Sequence, residues 1–178
     1  MTEYLQRMAH YNQWMNRKLY EKVQLLSADE VAKDRGAFFV SILGTLNHLL
    51  VGDLLWFQRF AASKPNEQSL AALQTMPKPR SLKDTLFENI DDLQAARETM
   101  DALIIAFSET WDEGILKEPI QYRNTNREKQ RQPLGALLQH VFNHQTHHRG
   151  QVTTLLFQAG IDPEVTDLLV MIMDEANE

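Results

Sequence analysis

Four histidines fall within nine residues, His140-Val-Phe-Asn-His144-Gln-Thr-His147-His148, in a stretch that reads as one long helix. His140/His144 and His144/His148 are both i,i+4 pairs, and residues four apart project from one face of a helix. Two imidazoles so placed can meet a single metal ion, as the pair on a zincin helix does. The glutamate between the histidines of that protease motif is missing here. A two-histidine helix also needs a ligand from elsewhere in the chain. His48 lies in a second apolar stretch, Ile42-Leu-Gly-Thr-Leu-Asn-His48-Leu-Leu-Val, and an imidazole buried among leucines must be given a polar partner. Spacing alone does not choose between His140 and His148, whereas His144 belongs to both pairs. His147 points about 60° away from His144, and Gln151 returns close to the His144 direction.

The elements able to position these residues are helices. Leu5, Met8, Ala9, Met15, Leu19 and Val23 form an apolar stripe over residues 2–26, with Trp14 offset from it. Ser27-Ala-Asp-Glu30 is a capping-box pattern. A second apolar helix is expected over 38–62. Pro65, Pro77 and Pro79 make 64–80 a long connection. Ser81-Leu-Lys-Asp84 is expected to cap a third helix that buries Leu82, Leu86, Ile90, Leu93, Met100, Leu103, Ile104 and Phe107. Residues 115–132 have no helical period, and Ile120-Gln-Tyr122 followed by Asn124-Thr-Asn126 suggests a small two-stranded excursion. Pro133 suits the first turn of a fourth helix, Gly160 its end, and a short final helix carries Leu168, Leu169, Val170 and Met173. The expected fold class is all-α, a four-helix bundle with one long crossover and a small hairpin or loop before the last long helix. It is read as a single domain over residues 1–178. Bundles of this kind build metal sites from side chains on facing helices. His48 falls mid-way along the second helix, and His144 and His148 mid-way along the fourth. Gly44, His48 and Gly52 share one face, which reads as a bare surface with room for an ion and a substrate.

Composition narrows the chemistry. Of 178 residues, 43% are hydrophobic and 24% charged, which is ordinary for a globular protein. The net charge of −6 argues against nucleic acid as a partner. The one basic cluster, Arg123 to Arg131, is mixed with Asn, Glu and Gln and reads as a solvated hairpin. No apolar run reaches membrane-spanning length, and the polar N-terminus does not resemble a signal peptide, so the expected location is cytoplasmic. There is no cysteine. Any transition metal must therefore be held by imidazole and carboxylate, and any reacting sulfur must arrive with a substrate.

Three groups of residues together carry a resemblance: Tyr11-Asn12-Gln-Trp14-Met-Asn16; Ser41-Ile42-Leu-Gly-Thr45-Leu46-Asn47-His48 through Asp53 to Trp56; and His140-Val-Phe-Asn143-His144-Gln-Thr-His147-His148-Arg149-Gly150-Gln151. With Gly160-Ile-Asp-Pro163 and Thr166-Asp167-Leu168 they span nearly the whole chain, which closely resembles the DinB family. These are the damage-inducible, YfiT-like bundle proteins, not the lesion-bypass polymerase that shares the name. The resemblance implies an up-down-down-up four-helix bundle, often a homodimer, in which three histidines hold one divalent metal. The matching residues are His48, His144 and His148, which leaves His140 outside the ligand set. Related bundle proteins are thiol-dependent transferases or isomerases that use mycothiol, bacillithiol or glutathione. The resemblance thus implies a metal-dependent thiol S-transferase joining a small-molecule thiol to an electrophile. A non-catalytic metal-binding stress-response protein and a metal-dependent hydrolase are the alternatives. A hydrolase needs a general base, and Asp53 lies about 140° around its helix from His48. Zn, Ni, Fe and Mn all accept histidine ligands, and no catalytic residue beyond the ligands is assigned. The segment 122–132 departs from the family pattern in lacking a glycine at its tip.

Overall fold

The computed structural model describes residues 1–64, 67–124 and 126–175. In chain order the elements are α1 (Thr2–Val23), α2 (Ala28–Ala32), α3 (Ile42–Ser63), α4 (Ile90–Ser108), β1 (Pro119–Arg123), β2 (Lys129–Pro133), α5 (Leu134–Gln158) and α6 (Leu168–Glu175). The long helices α1, α3, α4 and α5 form an all-α bundle. α1 packs against α4 and α5, and α3 against the same two, so α1/α3 and α4/α5 lie across the diagonals. Gln6 bonds the Ser108 carbonyl at 3.0 Å while Gln24 bonds Asp91 at 2.8 Å, so α1 and α4 are antiparallel. Asp53 meets Arg97 and Phe57 meets Phe107, so α3 and α4 are parallel. His48 meets His148 and Trp56 meets His140, so α3 and α5 are antiparallel. The result is the up-down-down-up order that the resemblance implies. No helix among the described residues is long and apolar enough to cross a membrane.

The apolar stripes bury as their spacing predicts. Leu19, Val23, Ile42, Leu50, Leu54, Phe57, Phe60, Leu93, Met100 and Phe107 have no exposed surface. Each such side chain contributes about 1.5–3 kcal/mol of transfer free energy. Ser27 caps α2, accepting from the Glu30 amide at 3.3 Å. α5 ends with Gly160 at φ +83°, and the Ile161 amide reaches back to the Leu156 carbonyl at 3.0 Å, which closes the helix as a left-handed glycine cap.

Several local expectations are corrected. The second long helix starts at Ile42, not at 38, because Ser41 caps it through the Gly44 amide at 3.0 Å. The third starts at Ile90, not after Ser81. The Ser81–Asp84 pattern closes one turn only, with the Asp84 carboxylate bonded to the Arg80 and Ser81 amides at 2.7 and 3.2 Å. The helix does not continue from there because the Asn47 side chain takes the Leu86 and Phe87 amides, at 2.8 and 3.0 Å, and the Phe87 carbonyl, at 2.9 Å. Asn89 is the true cap. Leu82, expected to be buried, is therefore exposed. The connection after α3 is not wholly irregular, since Gln68–Gln74 form a 3₁₀ helix. The two-stranded excursion exists, with Pro119 opposite Pro133 and Tyr122 opposite Gln130. Asn124 and Asn126 lie between the strands and not in the second one, and Thr125 lies outside the described residues. Arg127 takes the left-handed position there, at φ +63°, where a glycine is expected. Pro133 is the cap of α5 and the last residue of β2, just before the first helical turn.

A polar layer crosses the bundle interior. Arg97 lies between Asp53, at 2.7 Å, and Asp101, at 3.0 Å, and all three residues are almost fully buried. Asn12 and Asn16 donate to Asp101 at 3.2 and 3.0 Å. Gln145 donates to Asp53 at 2.7 Å, and Arg149 donates to Asn12. Two guanidiniums thus balance two carboxylates, as buried charge requires. Burial raises the pKa of both carboxyl groups, and Arg97 opposes it. Replacing Arg97 with Met leaves two buried carboxylates without their shared cation, and we expect a loss of about 3–5 kcal/mol in urea unfolding. A carboxyl group whose folded pKa is raised loses stability as pH rises. The deficit should therefore be larger near pH 8 than near pH 5, and an equal deficit at both would contradict the charge assignment.

Candidate metal centre

His48 projects from the middle of α3 beneath a fixed strap of chain. Val40, a β-branched residue, sits at φ +70°, held by its amide on the Ala37 carbonyl at 2.8 Å and its carbonyl on the Arg35 amide at 2.9 Å. Such a conformation persists only where its surroundings over-determine it. Its consequence is the position of Phe39, whose ring stacks on His48 with 3.8 Å between centroids and 17° between planes. Gly44 permits this, because a Cβ there would lie 2.0 Å from the Phe39 carbonyl oxygen. Gly52, one turn beyond His48, faces the His144 ring, and a Cβ there would lie 2.9 Å from its Cε1. The expected bare face is thus corrected at one end. Gly52 is filled against by an imidazole, whereas Gly44, closed on one side by the Phe39 backbone, still lines an open cleft beside His48.

The three rings meet through one nitrogen each. His48 Nε2 lies 3.0 Å from His144 Nε2 and 3.2 Å from His148 Nε2. The opposite ring atoms settle the protons on two of them. His48 Nδ1 is 2.9 Å from the Leu82 carbonyl, which can only accept, so Nδ1 carries the hydrogen. His148 Nδ1 is 2.8 Å from the Gln151 Oε1 and donates to it. In the neutral rings both Nε2 atoms are then bare lone pairs, pointing at each other across 3.2 Å. Such a pair repels, and a cation between them, or a hydrogen on the His144 Nε2 3.0 Å from His48, relieves it. Tetrahedral zinc–imidazole bonds of about 2.0–2.1 Å place ligand nitrogens ~3.3 Å apart, close to the spacing seen here. The donor set, three neutral imidazoles within 4.8 Å of one another, fits a divalent ion.

The electrostatics agree. The His144 pKa is pushed down to about 3, by burial first and then by the neighbouring imidazoles. Burial also lowers His48 and His148, with the Leu82 carbonyl and Gln151 opposing it. The pocket thus keeps its imidazoles unprotonated, the form that binds metal.

Of the residues singled out by sequence, the structure brings together His48, His144 and His148. It leaves His140 aside, exposed and edge-on to Trp56 at 5.2 Å. His147 is exposed. Gln151 is not simply solvated but fixes the His148 tautomer. Two contributors were missed by sequence reasoning. Leu82 acts through its backbone carbonyl, which no residue type announces. Asn47 anchors the segment that carries Leu82, and its adjacency to His48 was the available signal. Asp53 belongs to the buried layer and faces away from the histidines, as its angle predicts.

Fold and site together describe a helical bundle with a three-imidazole centre between two facing helices. The sequence model of the DinB family matches residues 1–177, and the chain belongs to that family. It is similar to Protein DinB of Bacillus subtilis (strain 168), with 27% identity over 167 residues that cover 94% of this chain and 92% of the relative. It is also similar to the uncharacterized protein YrdA of the same organism, 38% identical over 60 residues, 34% of this chain and 33% of that protein. Among solved structures, a DinB-like protein from Bacillus cereus ATCC 10987 superposes with a TM-score of 0.56. It shares 16% identity, covers 85% of this chain and 89% of its own, and supports the fold.

The depressed histidines set a pH dependence for the metal-free protein. Above the ordinary value of 6.5 both folded and unfolded chains hold these rings neutral, and stability is complete. Below it the unfolded rings take protons that the folded ones refuse. Stability therefore falls as pH falls, His144 contributing down to about 3. We expect the urea midpoint of chelator-treated protein to drop steadily between about pH 7 and pH 5, and His144→Gln to flatten that slope. A midpoint that ignores pH over this range would rule out the pocket electrostatics described here.

Proposed function

We propose that this protein binds one divalent metal ion through the Nε2 atoms of His48, His144 and His148 and serves as a thiol-dependent S-transferase on small molecules. The observation that carries the metal reading is the pair of tautomer-fixed imidazoles whose bare Nε2 atoms face each other at 3.2 Å. Three protein ligands leave a coordination position open, the pattern of a reactive rather than a closed site. An ion held there would lower the pKa of a thiol or water that reached it. The chain's own residues supply the setting. Leu82 and Gln151 keep protons on Nδ1 of two rings, and Phe39 covers the face of His48 against solvent. Two facts favour a thiol over water. The chain contains no cysteine, so sulfur has to be brought in, and α3 and α5 place no carboxylate beside the histidines. The family's thiol-dependent members supply the analogy.

The hydrolase reading rests on one observation, that Asp84 of the crossover lines the cleft beside His48. Asp84→Asn separates the two. It keeps an acceptor for the Arg80 and Ser81 amides, and a hydrolase would lose its base while a transferase would not.

Each of His48→Ala, His144→Ala and His148→Ala should lose stoichiometric zinc in untagged protein, and His140→Ala should retain it. Gly52→Ala should weaken zinc about tenfold to 100-fold by displacing the His144 ring. It should not lower the thermal midpoint much, because alanine gains about 1 kcal/mol of helix propensity. Cobalt-loaded protein titrated with glutathione, bacillithiol and mycothiol should develop a sulfur-to-metal charge-transfer band with at least one. Zinc retained in all three single variants would end the ligand assignment. Silence from all three thiols would move the non-catalytic stress-protein reading to first place.

A further inference from the structure

A cleft of about 370 Å³ opens directly on His48, lined by Phe38, Phe39, Val40, Leu82 and Lys83 among others. Its mouth is apolar. Phe38, Val40 and Leu82 are 79%, 53% and 41% exposed, and all three border this one opening. Large apolar side chains left in solvent around a concave site mark a ligand surface. The strained Val40 fixes the strap, so the wall is preformed rather than induced. Gly44 and Thr85 also line it, with two charged residues that are not equivalent. Asp84 has one carboxylate oxygen bonded to the Arg80 and Ser81 amides. The Lys83 ammonium has no hydrogen-bond or ion-pair partner among the described residues, which leaves it free to meet an anionic ligand.

We infer that the cleft, which meets the histidine centre through His48 and is not lined by His144 or His148, serves that centre as a substrate compartment and selects a small molecule with an aromatic or branched apolar body and a carboxylate, the body on Phe38, Val40 and Leu82 and the carboxylate on Lys83. The inference rests on the proposed function for the role of the site, but not for the binding itself, which needs no metal. A nucleotide or a sugar is a poor match. The lining offers one cation, one carboxylate, the single hydroxyl of Thr85 and an apolar wall, with no run of donors for phosphates or sugar hydroxyl groups. The volume lies at the small end of ligand pockets, suited to a body of one ring rather than several.

The test titrates 3-phenylpropionate, 3-phenylpropionamide and propionate into ¹⁵N-labelled protein, both zinc-loaded and chelator-treated, and follows amide shifts. Zinc content is measured separately on each sample. 3-Phenylpropionate should shift the Val40, Gly44 and Leu82 amides in both forms and bind better than either other probe. In the chelated form only Lys83 offers the carboxylate a charge, and Lys83→Gln should reduce the preference over the amide by roughly fivefold. Phe38→Ala and Leu82→Ala should each weaken 3-phenylpropionate by roughly three- to tenfold, and both residues are exposed enough for the bundle to fold without them. Shifts elsewhere on the molecule, or equal binding of propionate, would overturn the apolar compartment. An unchanged preference in Lys83→Gln would overturn the carboxylate assignment. Zinc binding that fails while the cleft still binds would sink the metal reading and leave the compartment standing.

Discussion

Gln145 holds the register on which the centre depends. Its amide donates to the Leu49 carbonyl at 3.0 Å and to Asp53 at 2.7 Å, which locks α5 against α3 at one level of the bundle. Gln145 follows His144, Leu49 follows His48, and Arg149 follows His148. On a helix the next residue is turned by about 100°. Each site histidine therefore faces the cluster while its successor reaches the buried interior. A slip of either helix would separate the imidazoles and break the polar layer together. The layer is costly to bury, and exchanging such groups for apolar ones is often neutral for stability. What it contributes here is position, since Asp53, Arg97, Asp101 and Arg149 tie α3, α4, α5 and α1 to one level of the bundle.

The crossover between α3 and α4 is the second support. A long connection in a compact domain is expected to have work to do. Here its backbone furnishes a carbonyl to His48, and its 82–85 stretch forms one wall of the cleft, opposite the strap at 38–40. Asn47 makes that possible by bonding the segment's backbone at Leu86 and Phe87, which also prevents α4 from starting sooner. One side chain thus sets a helix boundary and the height of the Leu82 carbonyl above the ring. The adjacency Asn47-His48 has a physical reading: the first residue seats the segment that orients the second.

Much of this was legible beforehand, and the limits have physical causes. The long helices were visible because each buries a stripe at the helical period, and the histidine pair of α5 because His144 and His148 share a face. Helix starts were less legible. Ser81–Asp84 carries the letters of a capping box, but a local pattern cannot reveal that a distant asparagine takes the amides the helix would need. The glycines at 44 and 52 were read as open space, because a missing side chain looks the same whether solvent, a carbonyl or an imidazole fills it. The choice of His148 over His140 came from resemblance, not spacing. The geometry sets His140 apart from the cluster, its ring edge-on to Trp56 and none of its nitrogens among the three that converge.

The site is also a source of instability that its ligand would relieve. Three imidazoles are held neutral by burial and by one another, two with lone pairs opposed, under a strap that keeps a valine in a left-handed conformation. None of this favours folding by itself. An ion held by the cluster would replace repulsion with bonds, and binding to the folded chain alone would raise stability by mass action. The rings need little rearrangement to receive it, because the Leu82 carbonyl and Gln151 have already chosen their tautomers. The protein therefore carries the cost of preorganisation in its stability, concentrated at the one place where α3, α5 and the crossover meet.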